Sequence, residues 1–173
     1  DMSIDLKKYL SRSKRKQIKF CLILHHFLGA SEEDWPKELA RVLSLMQEPD
    51  YLKVCGNRPL LYFFASLSSE FHGRWQSFLA STKDANLEPY CVYMGWAPRY
   101  DYNTYKKLGF EAVSAYAKGS NKATFAELVQ EVEVEYWQAA KQANVPYIPL
   151  VSSGWDKRPR KDNPVSRELN DAY

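Results

Sequence analysis

Residues 152–160, "SSGWDKRPR", bring together side chains that can bind a polar ligand with one flat apolar face. The indole of Trp155 can stack on such a face, while Asp156 accepts hydrogen bonds and Arg158 and Arg160 donate them. A sugar needs both kinds of partner, because a pyranose stacks one face on an aromatic ring and its hydroxyl groups need fixed polar groups. We therefore predict that these four residues bind a ligand of this kind. An ion pair between Asp156 and one of the arginines is the alternative.

Aromatic and imidazole side chains of the same chemical type close three earlier apolar runs of the sequence. They are His25, His26, Trp96 and Tyr116. Neighbouring residues of a strand point to opposite faces, so at most one of His25 and His26 can face a ligand. We predict these four residues as further members of the binding site, and packing in the core is the alternative role for each.

Several other chemistries lack their motifs in this sequence. There is no G-x-G-x-x-G and no G-x-x-x-x-G-K-[ST], one of which an open-sheet nucleotide-binding protein would carry after its first strand. The histidines and cysteines do not have the spacing of metal ligands, and no G-x-S-x-G surrounds a serine. The sequence therefore predicts no cofactor, no metal ion and no serine nucleophile.

Composition limits the class of protein and its partners. With 173 residues, 45% apolar and 26% charged, the chain can form one globular α/β domain over residues 1–173. The net charge of +3 depends on one basic run at Lys14, Arg15 and Lys16, which is typical of a solvated loop, so no nucleic-acid partner is predicted. No run approaches the roughly 18 apolar residues of a membrane-spanning helix, and no signal-peptide pattern begins the sequence.

Five apolar runs have the pattern of strands that are buried on both faces of a parallel sheet. They cover residues 18–27, 59–65, 88–97, 110–117 and 146–151. Helical patterns lie between them, which predicts the α/β class with parallel βα repeats. The carboxyl ends of parallel strands form the ligand site in such folds, so the aromatic and polar residues named above should share one edge.

Local signals mark where several of these elements begin and end. Ser31 with Asp34 resembles a capping box, and Thr124 with Glu127 forms a second one that opens the longest helix. Gly109 is a natural C-terminal cap for a short helix at about 101–108. A small hairpin is predicted before the second strand, with Gly56 and Asn57 in its turn.

Three segments of the sequence resemble, in order, motifs of the glycoside hydrolase family 99-like proteins. The family patterns are Y-x-K-x-x-G-K-P-x-x-x-x-Y, G-F-D-A and P-G-[WY]-D-x-x-x-R. The matching residues here are Tyr51, Lys53, Gly56, Arg58, Pro59; Gly109, Phe110, Glu111, Ala112; and Gly154, Trp155, Asp156, Arg160. Arg58 stands where the family usually has Lys, and Glu111 stands where it has Asp.

This resemblance implies a (β/α)8 barrel that acts on a glycan with mannose-type linkages, on extracellular or cell-envelope material. The family's catalytic carboxylates lie on an N-E-W-x-E-G stretch, which is absent here, so no catalytic residue is assigned. We expect about five units of an incomplete barrel, belonging to a longer protein and able to self-associate through open strand edges. The alternatives are a non-catalytic glycan-binding or polysaccharide-assembly module, and an unrelated open doubly wound five-stranded sheet.

Overall fold

The computed structural model describes residues 3–12, 18–25, 27–65, 67–117 and 124–151. Five of the predicted site residues lie outside these described residues. They are His26, Trp155, Asp156, Arg158 and Arg160. The other three, His25, Trp96 and Tyr116, lie within them.

Parallel strands alternate with helices along the chain, which confirms the predicted α/β class. The chain divides into two compact units, Asp1–Tyr90 and Cys91–Tyr173. An open sheet and a partial (β/α)8 barrel are both built from such repeats, so the structure agrees with the feature common to the two architectures. The prediction of one domain over 1–173 stays a prediction. Among the described residues, no helix is both long enough and apolar enough to span a membrane.

The first unit packs helices against a pair of parallel strands. Its elements are α1 (Ser3–Leu10), β1 (Leu22–Leu24), a 3-10 turn (Phe27–Gly29), α2 (Trp35–Gln47), β2 (Lys53–Val54), β3 (Arg58–Phe63) and α3 (Ser69–Asp84). β1 lies parallel to β3, with Leu24 opposite Phe63. The ring of Phe63 packs on Trp75 of α3 at 5.4 Å between centroids, and both side chains are buried. This contact anchors α3 to the strands.

The hairpin predicted before the second strand is present. β2 pairs antiparallel with β3, with Val54 opposite Arg58. Gly56 and Asn57 lie in the turn with φ of 81° and 75°, as predicted, and Cys55 joins them at φ 44°. Positive φ costs a residue that carries a Cβ about 1–2 kcal/mol, so the glycine relieves one of three strained positions.

The second unit has the same alternation. Its elements are β4 (Tyr90–Met94), α4 (Pro98–Tyr105), a 3-10 turn (Lys106–Leu108), β5 (Ala112–Ser114), α5 (Phe125–Val132), a π-helical segment (Glu133–Gln138) and α6 (Ala139–Gln142). β4 begins at the last residue of the first unit and lies parallel to β5, with Met94 opposite Ser114. Gly109 ends the α4 region at φ 98°, as predicted.

Both predicted capping pairs form hydrogen bonds. The amide of Glu127 donates to Thr124 Oγ1 and the amide of Thr124 donates to Glu127 Oε2, which is a complete capping box. Ser31 Oγ donates to Asp34 Oδ2 at 2.7 Å, and the Asp34 amide donates back at 3.1 Å. Because α2 begins at Trp35 with Asp34 as its N-cap, the second pair closes the turn before the helix, and the prediction that the helix begins at Ser31 with a capping box was wrong.

The predicted strands are longer than the observed ones, and the last is not a strand. In the first run Phe20 bridges Tyr51 before β1 pairs with β3, so the run divides between two partners. The run 146–151 keeps only a parallel bridge between Val113 and Tyr147. Pro149 has no N–H to donate, which prevents the ladder from continuing.

Two helical features were not predicted. No pattern in the sequence indicated α1, and the long helix that opens at Thr124 was predicted to be regular. A π-helical segment interrupts that helix at Glu133–Gln138.

We expect the same substitution, Gly to Ala, to have opposite effects at two positions. Gly56→Ala should lower the free energy of unfolding by roughly 1–2 kcal/mol, because a residue with a Cβ is strained at this positive φ. Gly73→Ala, in the interior of α3, should raise it by about 0.5–1 kcal/mol, since Ala loses less backbone entropy in a helix. An added Cβ has no atom within 4 Å at either site, so steric contacts do not contribute to the difference in stability between the two variants. Urea denaturation of the two variants measures both signs, and equal signs would contradict the prediction.

Candidate functional site

Trp96 and Tyr116 lie at equivalent positions beyond the carboxyl ends of two paired strands. Met94 is opposite Ser114 in the parallel ladder, so the residues two further along, Trp96 and Tyr116, have the same register. The Gly95 amide donates to the Ser114 carbonyl at 2.8 Å, which keeps the backbones paired past the strand ends. Trp96 is 57% exposed and Tyr116 is 53% exposed. The structure therefore places these two predicted site residues at one edge, with both rings partly in solvent.

A buried carboxylate holds the turn that carries Trp96. Asp101 is 8% exposed, and its Oδ2 accepts a hydrogen bond from the Ala97 amide at 2.8 Å. The amide of Trp96 also donates to this carboxylate. In return the Asp101 amide donates to the Ala97 carbonyl at 2.8 Å, which begins α4. The side chain of Trp96 is thus presented by a backbone that is fixed from both directions.

Gly95 is required by the position of the same carboxylate. A Cβ at Gly95 would lie 2.1 Å from Asp101 Oδ2 and 2.5 Å from Asp101 Cγ. Such distances are far inside van der Waals contact, so any larger residue would displace the carboxylate or the turn. The pattern G-W-A-P-x-x-D is therefore a structural unit, in which Gly95 leaves the space that Asp101 fills.

Tyrosine side chains surround this unit. Burial raises the pKa of Asp101, and the two backbone hydrogen bonds oppose the rise in pKa without cancelling it. Tyr93 of β4 stacks on Tyr105 of α4 at 3.9 Å between ring centroids. Burial and a hydrogen bond to Tyr105 raise the pKa of Tyr93, and the negative charge of Asp101 adds to this rise. The hydroxyl of Tyr93 is therefore a neutral group close to the carboxyl group of Asp101.

Tyr136 brings a further hydroxyl to the region from the π-helical segment. It is 1% exposed, and its hydroxyl has no hydrogen-bond partner among the described residues. Burial raises the pKa of Tyr136, and the charge of Asp101 raises it further. π-helical turns inside α-helices occur frequently at functional sites. Asp101 thus lies close enough to the buried hydroxyl of Tyr136 to influence its pKa.

An open groove of about 820 Å³ begins at Trp96 and follows α4. Tyr100, Asn103 and Lys107 line it from the α4 side, and Glu135 lines it from the π-helical segment. All of these side chains are exposed. The groove combines aromatic rings with amide, ammonium and carboxylate groups.

His25 belongs to the corresponding strand end of the first unit. Its ring stacks on Phe64 with centroids 5.3 Å apart and an interplanar angle of 21°. The Phe64 amide donates to the Leu24 carbonyl at 2.9 Å, which continues the β1 and β3 ladder past its end. His25 is exposed, so one face of its ring packs on Phe64 while the residue still reaches solvent.

The residues of the first family-like motif hold the first unit together. Tyr51 is buried, and its hydroxyl donates to the Leu60 carbonyl at 2.8 Å and accepts from the Leu22 amide at 3.2 Å. The Arg58 guanidinium donates to the carbonyls of Glu88 and Pro89, at 3.0 Å each. A lysine could not bind both carbonyls through a planar fork, which explains how Arg serves at this position.

The described residues contain no cluster of three or more His, Cys, Asp or Glu side chains that could hold a metal ion. No protein-family model, curated protein or solved structure matches this chain. The resemblance to the glycoside hydrolase family 99-like proteins therefore stays a prediction.

Asp101, Tyr136 and the groove were not predicted from the sequence. A signal was present for part of the groove, because Tyr100, Asn103 and Lys107 recur at the three- and four-residue spacing of one helix face. The sequence carries no comparable signal for the π-helical segment that brings Tyr136 and Glu135 to this region.

We expect the stability difference between the wild type and the Asp101→Asn variant to depend on pH. Burial raises the pKa of Asp101 above its unfolded value of about 3.9, so the folded state binds this proton more tightly than the unfolded state. Wild-type stability should then fall, relative to the variant, as pH rises from about 4 through the raised pKa, and level off above it. Urea denaturation of both proteins across that range measures the difference. A difference that is constant with pH would contradict the assigned shift.

Removing the hydroxyl of Tyr136 tests whether this group is buried without a hydrogen-bond partner. Tyr136→Phe should raise the free energy of unfolding by about 1 kcal/mol, because an unsatisfied buried hydroxyl costs about 1–3 kcal/mol and the ring stays in place. Tyr105→Phe is the matched control, and it should lower stability because it removes the hydrogen bond with Tyr93. If Tyr136→Phe destabilises the protein as much as the control does, the hydroxyl has a partner.

Proposed function

We propose that this protein binds a glycan at the carboxyl ends of its parallel strands, as a carbohydrate-active protein of the glycoside hydrolase family 99-like type. The observation that carries the proposal is the pair of exposed rings, Trp96 and Tyr116, at equivalent positions beyond β4 and β5. The carboxyl ends of parallel strands are where α/β folds bind their ligands.

A sugar suits this strand edge better than a nucleotide, because the sequence has no phosphate-binding glycine motif. A large aromatic ring half exposed to water leaves apolar surface that a pyranose face can cover. The backbone turn that Asp101 stabilises also fixes the main chain that carries the ring of Trp96. A site that is ordered before binding loses less entropy when the ligand arrives.

The predicted residues Trp155, Asp156, Arg158 and Arg160 belong to this proposal and lie outside the described residues. The run that precedes them pairs in parallel with β5, through the bridge between Val113 and Tyr147. Ser114 Oγ also donates to the Ile148 carbonyl at 3.0 Å. This pairing supports the proposal that the residues after 151 contribute to the same site.

Hydrolysis would need two carboxyl groups, about 5–5.5 Å apart for retention or 6.5–9.5 Å apart for inversion. Asp101 is occupied by backbone amides and by its contact with Gly95, so we assign it to structure rather than to acid catalysis. The family's N-E-W-x-E-G stretch is not in this sequence. In the proposed hydrolase this chain therefore supplies substrate binding.

A non-catalytic glycan-binding or polysaccharide-assembly module is the second candidate. One observation favours it. The two exposed side chains that we assign to the site at the ends of β4 and β5, Trp96 and Tyr116, are aromatic, and neither is a carboxylate. For either candidate we expect self-association through open strand edges, which light scattering would measure.

Trp96→Ala and Tyr116→Ala should each weaken glycan binding by about tenfold, which corresponds to about 1.4 kcal/mol. Isothermal titration calorimetry with mannose-type oligosaccharides measures this effect, and chromatography of the products distinguishes hydrolysis from binding. Tyr102→Ala is the control, because this tyrosine of α4 contacts Lys106 and does not line the groove. Absence of binding to any glycan tested, or binding that is unchanged in both site variants, would reject the proposal and favour an unrelated open-sheet domain.

A further inference from the structure

The groove along α4 starts at Trp96, which also belongs to the proposed strand-end site. Its volume of about 820 Å³ falls in the range of about 300–1,000 Å³ that small-molecule sites occupy. Because one aromatic ring borders both places, a chain bound at the strand ends could continue into the groove.

The α4 side of the groove presents three different binding groups in a row. Tyr100 is 70% exposed and offers an aromatic face, Asn103 follows one turn later with an amide, and Lys107 follows after another turn. The backbone from Tyr100 to Lys107 runs through α4 and the 3-10 turn and rises by roughly 11 Å, which is more than one monosaccharide covers. The row therefore fits an extended oligosaccharide rather than a single sugar.

The side chains that line the groove carry more positive than negative charge. Arg99 and Lys107 line it, and neither forms an ion pair with any described residue. Glu135 is the carboxylate on the opposite wall, brought there by the π-helical segment. Two cations against one anion favour a ligand that carries negative charge, and the open groove makes this attraction sensitive to salt.

We propose that this groove is an additional subsite for an acidic oligosaccharide. One sugar stacks on Tyr100, and the carboxylate of a uronic acid residue binds Lys107, while Arg99 adds to the positive charge of the groove. Asn103 and Glu135 provide the donor and acceptor for the hydroxyl groups between them. The inference rests on the proposed glycan binding and adds the length and the charge of the ligand.

The test compares three ligands: a mannose-type monosaccharide, a neutral oligosaccharide, and the same oligosaccharide ending in a uronic acid. The uronate-terminated ligand should bind the wild type about tenfold more tightly than the neutral one at low salt, and the advantage should shrink in high salt. Lys107→Gln should abolish the advantage. Tyr100→Ala should weaken both oligosaccharides by about tenfold and leave the monosaccharide unaffected.

Two matched controls lie beside the tested positions. Lys106→Gln removes a neighbouring ammonium that faces the ring of Tyr102, 5.6 Å from its centroid, and Tyr102→Ala removes a tyrosine of the same helix. Neither should alter the preference for the uronate or for the longer chain. Thermal melting of every variant separates a loss of binding from a loss of folding.

The outcomes separate this inference from the proposed function. If oligosaccharides bind and depend on Trp96 and Tyr116, but Tyr100→Ala and Lys107→Gln bind like the wild type, the groove is not a subsite and glycan binding stands. Equal affinity for the neutral and uronate-terminated ligands would also overturn the inference. If the wild type binds none of the three ligands, the proposed function is wrong, and the inference that rests on it is wrong as well.

Discussion

The candidate site of the second unit depends on the hydrogen bonds that backbone amides donate to the buried carboxylate of Asp101. They fix the turn after β4, and both exposed rings of the groove, Trp96 and Tyr100, project from the segment that this turn begins. The arrangement requires Gly95, because a Cβ there would overlap the carboxylate. The position of the exposed rings and the requirement for glycine at residue 95 are therefore two results of one contact.

Burying a carboxylate is costly, and the surroundings offset that cost only in part. Two amides donate to Asp101, yet its pKa is still raised by burial. The nearby hydroxyl of Tyr136 has no partner among the described residues. Folded proteins often retain such unfavourable buried groups near binding sites. The residues that hold a binding group in position are then not free to pack in the most stable way. Here the exposed ring of Trp96 belongs to the turn whose amides bind the buried Asp101.

The residues that carry the family resemblance have structural roles where the structure describes them. Tyr51 links β1 and β3 through its hydroxyl, and Arg58 binds two carbonyls ahead of β4. Gly109 takes the left-handed conformation that ends the α4 region, and Phe110 and Ala112 are buried. These motifs therefore concern how the fold is held together, while the proposed ligand chemistry depends on Trp96, Tyr116 and the third motif.

The sequence by itself determined the features that arise between residues close in the chain. The Thr124 capping box, the turn at Gly56 and the cap at Gly109 were predictable because their hydrogen bonds and φ angles depend on local residue types. The order of strands and helices followed from apolar periodicity. The tertiary structure decided how long each strand is, since pairing depends on partners such as Tyr51 and β3. It also decided that Asp101 is buried and that the π-helical segment opens onto the groove, because burial depends on packing between distant parts of the chain.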